Sequence, residues 1–323
     1  MRYRLFGRTG LRVSELFLGT MGFEDARESR RIIDAYADAG GNVLDTASAY
    51  GNGEELLGSV LERRDRFVLA TKYTLSRDPS DPNAAGNHRK NLGLSLEQSL
   101  RRLRTDHVDV LWVHIWDRHT PLEETIRALD DAVCAGKVLY TGISDAPAWV
   151  VARANTLAEW RDRTSFAGLQ VPYNLLRRDA ERELLPMAEA FGMTVAAWAP
   201  LAAGVLAAGP RSRRVDPETL SERERTARAA VRAVADELGA APAQVALAWT
   251  RSRSPVVHPL VGAADVAQLT ESIGGLDLVL PADAIRRLEA AVPFELGFPG
   301  DFIAECESST FVFGDHATSV TGR

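Results

Sequence analysis

The stretch NVLDTASAYGNGEELLG, residues 42 to 58, decides how the whole chain is read. Asn42 to Leu44 is a short apolar run suited to a buried strand, and it delivers Asp45 to the strand's end. Small residues then carry the chain to Tyr50, and Gly51 and Gly53 close the loop. From Glu54 to Glu62 the pattern is helical, with acidic residues in the first turn, where they suit the positive end of the helix dipole. A strand, a loop holding a carboxylate and a phenol, and a helix make one β-α unit. Taken alone, Asp45 and Tyr50 are equally a helix-side cap with a packing residue, or the parts of a proton donor. The other strand ends decide.

Outward from this unit the same alternation recurs. Residues 3–6 and 13–18, joined by the turn Gly7-Arg8-Thr9-Gly10, read as a β-hairpin whose second run continues into the first barrel strand. Further apolar runs end near Gly19, Asp45, Lys72, His114, Ser144, Gln170, Trp198 and Val261. Amphipathic helices are predicted between them at 28–39, 54–62, 92–104, 121–135, 147–159, 180–191 and 242–252, with another at 265–273. This predicts an α/β fold, a (β/α)8 TIM barrel over about residues 13–275, with the hairpin before it and a C-terminal helix and tail over 281–323, all one domain. Most strand ends lie 26 to 30 residues apart. Longer gaps follow Lys72, where SRDPSDPNAAGNHRKN intervenes, and Trp198, where a Gly-rich stretch and an Arg/Glu-rich helix at 219–238 intervene. Both insertions fall beyond the C-terminal strand ends, the face on which barrel enzymes carry their sites.

The strand ends themselves carry chemistry. Asp45, Lys72 and His114 end successive strands and Tyr50 follows the first of them, which is the composition of a proton-transfer site. The Lys72 ammonium is expected to favour the phenolate and draw the Tyr50 pKa down from about 10 toward neutrality. Asp45 would keep Lys72 charged and oriented, and His114 would hydrogen-bond a carbonyl oxygen. Later ends supply Ser144, Asp145 and Gln170, hydrogen-bonding groups suited to an amide, and Trp198, a flat face. Amide plus ring describes a nicotinamide. No GxGxxG follows a strand, so a dinucleotide would bind on the barrel rim and not on a Rossmann domain. In WAPLAAG, residues 198–204, Pro200, Leu201 and Gly204 let backbone approach a pyrophosphate, with Arg211, Arg213 and Arg214 close behind.

Composition narrows the partners. A net charge of −6 and a pI near 5.6 provide no basic face of the kind nucleic acid demands. Cys134 and Cys306 belong to no motif and the start MRYRLFGRTG has no apolar signal core, so a reducing cytoplasm is expected. The apolar run from Met193 to Pro210 is broken by Pro200, Gly204 and Gly209, short of the ~20 residues a membrane span needs. His88 has no partner at ligand spacing and reads as a loop hydrogen-bonder, so no metal site is expected.

The motifs LFLGTM, NVLDTASAYGNGEELLG, LATK, DVLWVHIWD, LYTGISDAPAW, LQVPYNLL, WAPLAAGVL and PLVGAADVAQLTESIGGL together resemble the aldo/keto reductases, a match that runs from about Tyr3 to about Phe302. The resemblance implies a carbonyl reductase with the catalytic tetrad Asp45, Tyr50, Lys72 and His114. It implies carboxamide contacts at Ser144 and Gln170, a stacking Trp198, and adenosine-end contacts at Gly262, Gln268 and Glu271. Three positions depart from the family's habit: Asp145 stands where Asn is usual, Ala264 where a Ser, Lys or Arg often meets the 2′-phosphate, and Ser272 where Asn is common. The implied cofactor is NADP(H), with NAD(H) possible because no Lys or Arg lies between Gly262 and Ser272. The implied substrate is a small carbonyl compound met by Met21, Phe23, Tyr73, Trp116, the 76–91 loop and the tail. DPNAAGNHRKNL, VHIWDRHTP and PFELGFPGDFI resemble the bacterial branch that includes reductases of nucleotide-linked keto-deoxysugars, an alternative substrate class. Two other functions stay open: a slow cofactor-sensing regulatory subunit, and a lyase or isomerase using Lys72 as a Schiff-base amine. A monomer or weak homo-oligomer is expected.

Overall fold

A computed structural model describes residues 1–207, 216–307, 309–316 and 319. Eight parallel strands close into a barrel: β3 (Phe17–Gly19), β4 (Val43–Asp45), β5 (Val68–Tyr73), β6 (Val108–Val113), β7 (Val138–Ser144), β8 (Phe166–Pro172), β9 (Thr194–Trp198) and β10 (Val257–Val261), with β10 paired to both β9 and β3. Before them, β1 (Tyr3–Leu5) and β2 (Arg12–Ser14) form a separate antiparallel hairpin. The run predicted as continuous over 13–18 breaks at Glu15 and Leu16, where the buried Glu15 carboxylate takes Arg2 and Arg251 as ion-pair partners. Around the barrel lie α1 (Ala26–Asp38), α2 (Gly53–Val60), α3 (Arg89–Leu103), α4 (Leu122–Cys134), α5 (Ala148–Trp160), α6 (Leu184–Ala190), α7 (Glu222–Leu238), α8 (Pro242–Ser252) and α9 (Val266–Gly274). The chain continues through α10 (Ala282–Ala291), α11 (Gly300–Glu307) and α12 (Thr310–Phe313). The predicted helix at 180–191 starts later than expected, at Leu184, after a single tight turn at Asp179–Glu181.

Side chains alternate across a strand, so each barrel strand serves two cores. One set points at the helices: Leu18, Leu44, Leu69, Leu111, Ile143, Leu169 and Val195 join the large cluster between barrel and shell. The other set fills the lumen: Phe17, Val43, Val68, Ala70, Val110, Trp112 and Ala196, closed from below by Phe6 of the hairpin turn. Trp112 is the widest lumen residue, and two glycines make room for it. A Cβ on Gly142 of β7 would lie 2.3 Å from its ring, and one on Gly168 of β8 2.7 Å. The same alternation, carried two residues further along each strand, leads from Val43 to Asp45, Ala70 to Lys72, Trp112 to His114, Gly142 to Ser144, Gly168 to Gln170 and Ala196 to Trp198. The packed lumen is therefore the floor on which the polar residues of the upper rim stand.

Candidate active site at the upper rim of the barrel

The loop from β4 to α2 continues the ladder before it turns. Thr46 N donates to Ala70 O (2.9 Å) and Ser48 N to Lys72 O (3.1 Å), which ties the loop to β5. Tyr50 N then donates to Ala47 O and Gly53 N to Tyr50 O, a tight return that needs the left-handed φ of +55° at Gly51. This geometry aims the phenol inward. Lys72 Nζ donates to the Asp45 carboxylate, to Thr46 O (2.9 Å) and to Tyr50 Oη (3.3 Å), so all three N–H groups of the ammonium are engaged. No lone pair is left for imine formation, which disfavours the Schiff-base alternative. Gln170 Nε2 donates to the other Asp45 oxygen at 3.0 Å. The His114 ring meets Tyr50 edge-on, with centroids 6.0 Å apart.

Burial is graded across this cluster. Asp45 and Lys72 are 2% and 1% exposed, while Tyr50 and His114 are half-buried and reach the open side. The electrostatics correct one expectation from the sequence. Burial raises the Tyr50 pKa above the ordinary phenol value, and the pull of Lys72 toward the phenolate offsets only part of that rise. The phenol is thus a protonated donor at neutral pH. Burial also disfavours the Lys72 ammonium, but the Asp45 charge and the hydrogen bonds outweigh it and lift the Lys72 pKa. Burial, helped by Lys72, depresses the His114 pKa to about 4, so its imidazole is neutral, with Nδ1 buried and unpartnered.

The other side of the rim holds the residues read as an amide-and-ring site. Ser144 and Gln170 are buried at the ends of their strands, and Trp198 is half-buried. Trp198 Nε1 donates to Asp145 Oδ1 at 3.3 Å, and burial raises the Asp145 pKa. Asp145, Ala199, Ala202 and Ala203 all have positive φ, as does Gly204, so the backbone is left-handed at several points after β7 and β9. Pro200 is buried and Leu201 packs against the core. At the start of α9, Asp265 Oδ1 accepts from Gln268 N (2.8 Å) while Gln268 Oε1 accepts from Ala264 N (3.0 Å). Gly262, Ala264 and Glu271 are exposed. Ser272, at 5% exposure, is buried in α9 with Leu269 and lies one turn beyond Gln268. Arg211, Arg213 and Arg214 lie outside the described residues.

Residues 15–293 match the model of the aldo/keto reductase family. The chain belongs to that family. It is 40% identical over 321 residues to a norsolorinic acid reductase of Emericella nidulans, covering 92% of the chain and 82% of the relative. It is 36% identical over 326 residues to norsolorinic acid reductase A of Aspergillus parasiticus, covering 94% and 84%. It is 35% identical over 328 residues to an NADP(+) aryl-alcohol dehydrogenase of Phanerodontia chrysosporium, covering 90% and 85%. As an aldo/keto reductase it is an oxidoreductase that reduces carbonyl compounds with a nicotinamide cofactor.

The residues of this rim fit that cofactor. An aldo/keto reductase needs a flat face, amide partners and close backbone approach. Trp198 uses its indole N–H on Asp145 and leaves its ring free, and a Cβ added at Gly262 would meet nothing nearer than Gly19 O at 3.9 Å. The residues proposed to select substrate divide by strand parity. Met21 is exposed and Trp116 half-buried on the rim, but Tyr73 is a correction. It follows Lys72, so it points outward into the helix layer, where it is 1% exposed and donates to Asn87 O. Phe23, at 8% exposure, packs in the large cluster against which Trp116 also lies. The 76–91 loop is pinned: Asn87 and Asp117 exchange backbone-to-side-chain hydrogen bonds, and His88 Nδ1 accepts from Asn91 N, capping α3. Trp149, 57% exposed and 5.6 Å edge-on from Trp116, was not picked out from the sequence. Its signal was available, because it opens the helix directly after β7 in the quoted motif LYTGISDAPAW.

Proposed function

We propose that the protein reduces an aromatic aldehyde or ketone with NADPH, Tyr50 being the general acid. The observation that carries this is the Lys72 ammonium held between the Asp45 carboxylate and the Tyr50 hydroxyl, 3.3 Å from the phenolic oxygen. A nicotinamide held at Trp198, Ser144 and Gln170 would supply the hydride to the carbonyl carbon. Tyr50 gives its proton to the carbonyl oxygen, and Lys72 stabilises the phenolate left behind until solvent reprotonates it. The neutral His114 would donate from Nε2 a hydrogen bond that orients the same oxygen. Ser144 and Gln170 would hold the carboxamide and Trp198 the ring face, with Gln170 also steadying Asp45.

The aromatic substrate is favoured by the Trp116 and Trp149 pair at the rim and by relatives named for norsolorinic acid and aryl alcohols. These weigh more than the sugar alternative, and the intact relay weighs against a slow sensing role. NADPH is favoured over NADH, but weakly, because no cation stands at Ala264. We place the protein in the cytoplasm, since Cys134 and Cys306 are both free; no helix among the described residues is long and apolar enough to cross a membrane. Oxidation of NADPH with matched panels of aromatic aldehydes, aliphatic aldehydes and nucleotide-linked keto-sugars tests the reading. Aromatic stacking should give the aryl compounds a kcat/KM advantage of about 3 to 10-fold. Preference for the keto-sugar would sink the aromatic assignment and leave the sugar reading standing.

A further inference from the structure

Asp145 is a rim carboxylate that the proton relay does not use. It ends the β7 side of the site with φ +45°, a left-handed conformation that Asp and Asn tolerate better than other side chains. Its backbone is fixed on both sides: its N donates to Gln170 O (3.2 Å) and its O accepts from Trp116 N (3.5 Å). Its carboxylate is turned onto the Trp198 indole N–H. Among the described ion pairs it has no partner. The charges that reach it are Lys72, already paired with Asp45, and Arg177, which is exposed to solvent.

Charge accounting over the described rim residues then gives a definite sign. Asp45 and Lys72 cancel, Tyr50 is protonated and His114 neutral, so of these four groups and Asp145 only the Asp145 carboxylate is left without an adjacent balancing charge, the exposed Arg177 acting on it through solvent. A nicotinamide ring is positive when oxidised and neutral when reduced. A fixed negative charge in a partly buried site acts on the first and scarcely on the second. We propose that Asp145 sets the redox-state preference of cofactor binding: its carboxylate, held against the Trp198 indole, favours the oxidised nicotinamide over the reduced one. The proposal rests on the reading that Trp198 stacks on the nicotinamide. By linkage, a site that holds the oxidised form more tightly makes the bound reduced form the stronger hydride donor by the same factor.

Equilibrium titration of NADP(+) and NADPH on the unaltered enzyme, on Asp145→Asn and on Trp198→Ala tests this without turnover. Asn keeps the volume, tolerates the left-handed backbone and retains an oxygen that accepts from the indole; it removes the charge and adds an amide N–H, which meets the carboxamide of both redox forms alike, so the ratio of the two Kd values reads the charge. Its Kd for NADP(+) should rise about 10-fold while that for NADPH changes less than about threefold. Trp198→Ala should weaken both forms alike, because stacking does not depend on ring charge in the same way. An unchanged ratio of the two Kd values in Asp145→Asn, with both forms weakened in Trp198→Ala, overturns the charge proposal and leaves the stacking reading intact. No weakening of either form in Trp198→Ala removes the stacking reading and the proposal with it.

Discussion

The two sides of the barrel mouth handle charge in opposite ways. Over β4 to β6 every buried charge has a partner: Asp45 takes Lys72 and Gln170, and Lys72 takes Asp45, Thr46 O and Tyr50. Over β7 to β9 the Asp145 carboxylate has an indole N–H and, among the described residues, no ion-pair partner, on a stretch of rim where several residues are held at positive φ. The first side is a balanced relay, suited to moving a proton without creating an unpaired charge. The second keeps a standing charge, suited to distinguishing a charged ring from a neutral one. Buried pairs and buried single charges differ sharply in what their loss does, because removing one partner of a pair strands the other.

The largest effect should therefore come from breaking the balanced side. Lys72→Met leaves Asp45, 2% exposed, without its cation, and should cost about 3 to 5 kcal/mol of stability. It should also remove most activity, since nothing remains to stabilise the phenolate. The Lys72 pull on Tyr50 lowers a pKa that burial has raised, so its loss lets that pKa climb further, and any residual basic limb of the rate profile moves to higher pH. Thermal denaturation and a pH-rate profile check both parts; a stable, fully active Lys72→Met enzyme would mean that the pairing is incidental. In turnover Asp45→Asn should be milder, because it loosens Lys72 without removing it, while its cost in stability should be comparable, since it strands the buried ammonium.

A smaller effect is expected at the adenosine end, outside both regions. Ala264 is exposed at the start of α9, so a longer side chain there meets open solvent. Ala264→Arg should raise the preference for NADPH over NADH about 10-fold or more, since hydrogen bonds to charged groups are worth about 1.5 to 3 kcal/mol. Turnover should stay as it was. If the unaltered enzyme already prefers NADPH by over about 1000-fold, a cation from another part of the chain reaches the phosphate and Ala264 is not the determinant.

The same division separates what was legible in the sequence from what was not. Asp45, Lys72 and His114 could be read because each follows a lumen residue by two positions at the end of an apolar run, and period two fixes the face. Tyr73 was misread against that rule: its neighbour Lys72 faces the lumen, so Tyr73 had to face the helices. The direction of the Tyr50 shift was out of reach, because the extent of burial depends on the closed barrel and not on the nearby lysine alone. The Asp145 and Trp198 contact was also hidden, since it joins residues 53 positions apart through the rim.

The most direct measurement is turnover of Tyr50→Phe with an aromatic aldehyde, with its Kd for NADPH measured alongside. The ring is kept and the proton is removed, so turnover should fall by about 10² to 10⁴-fold while the Kd for NADPH stays close to that of the unaltered enzyme. Turnover within about threefold of the unaltered enzyme, at equal NADPH binding, would contradict Tyr50 as the proton donor.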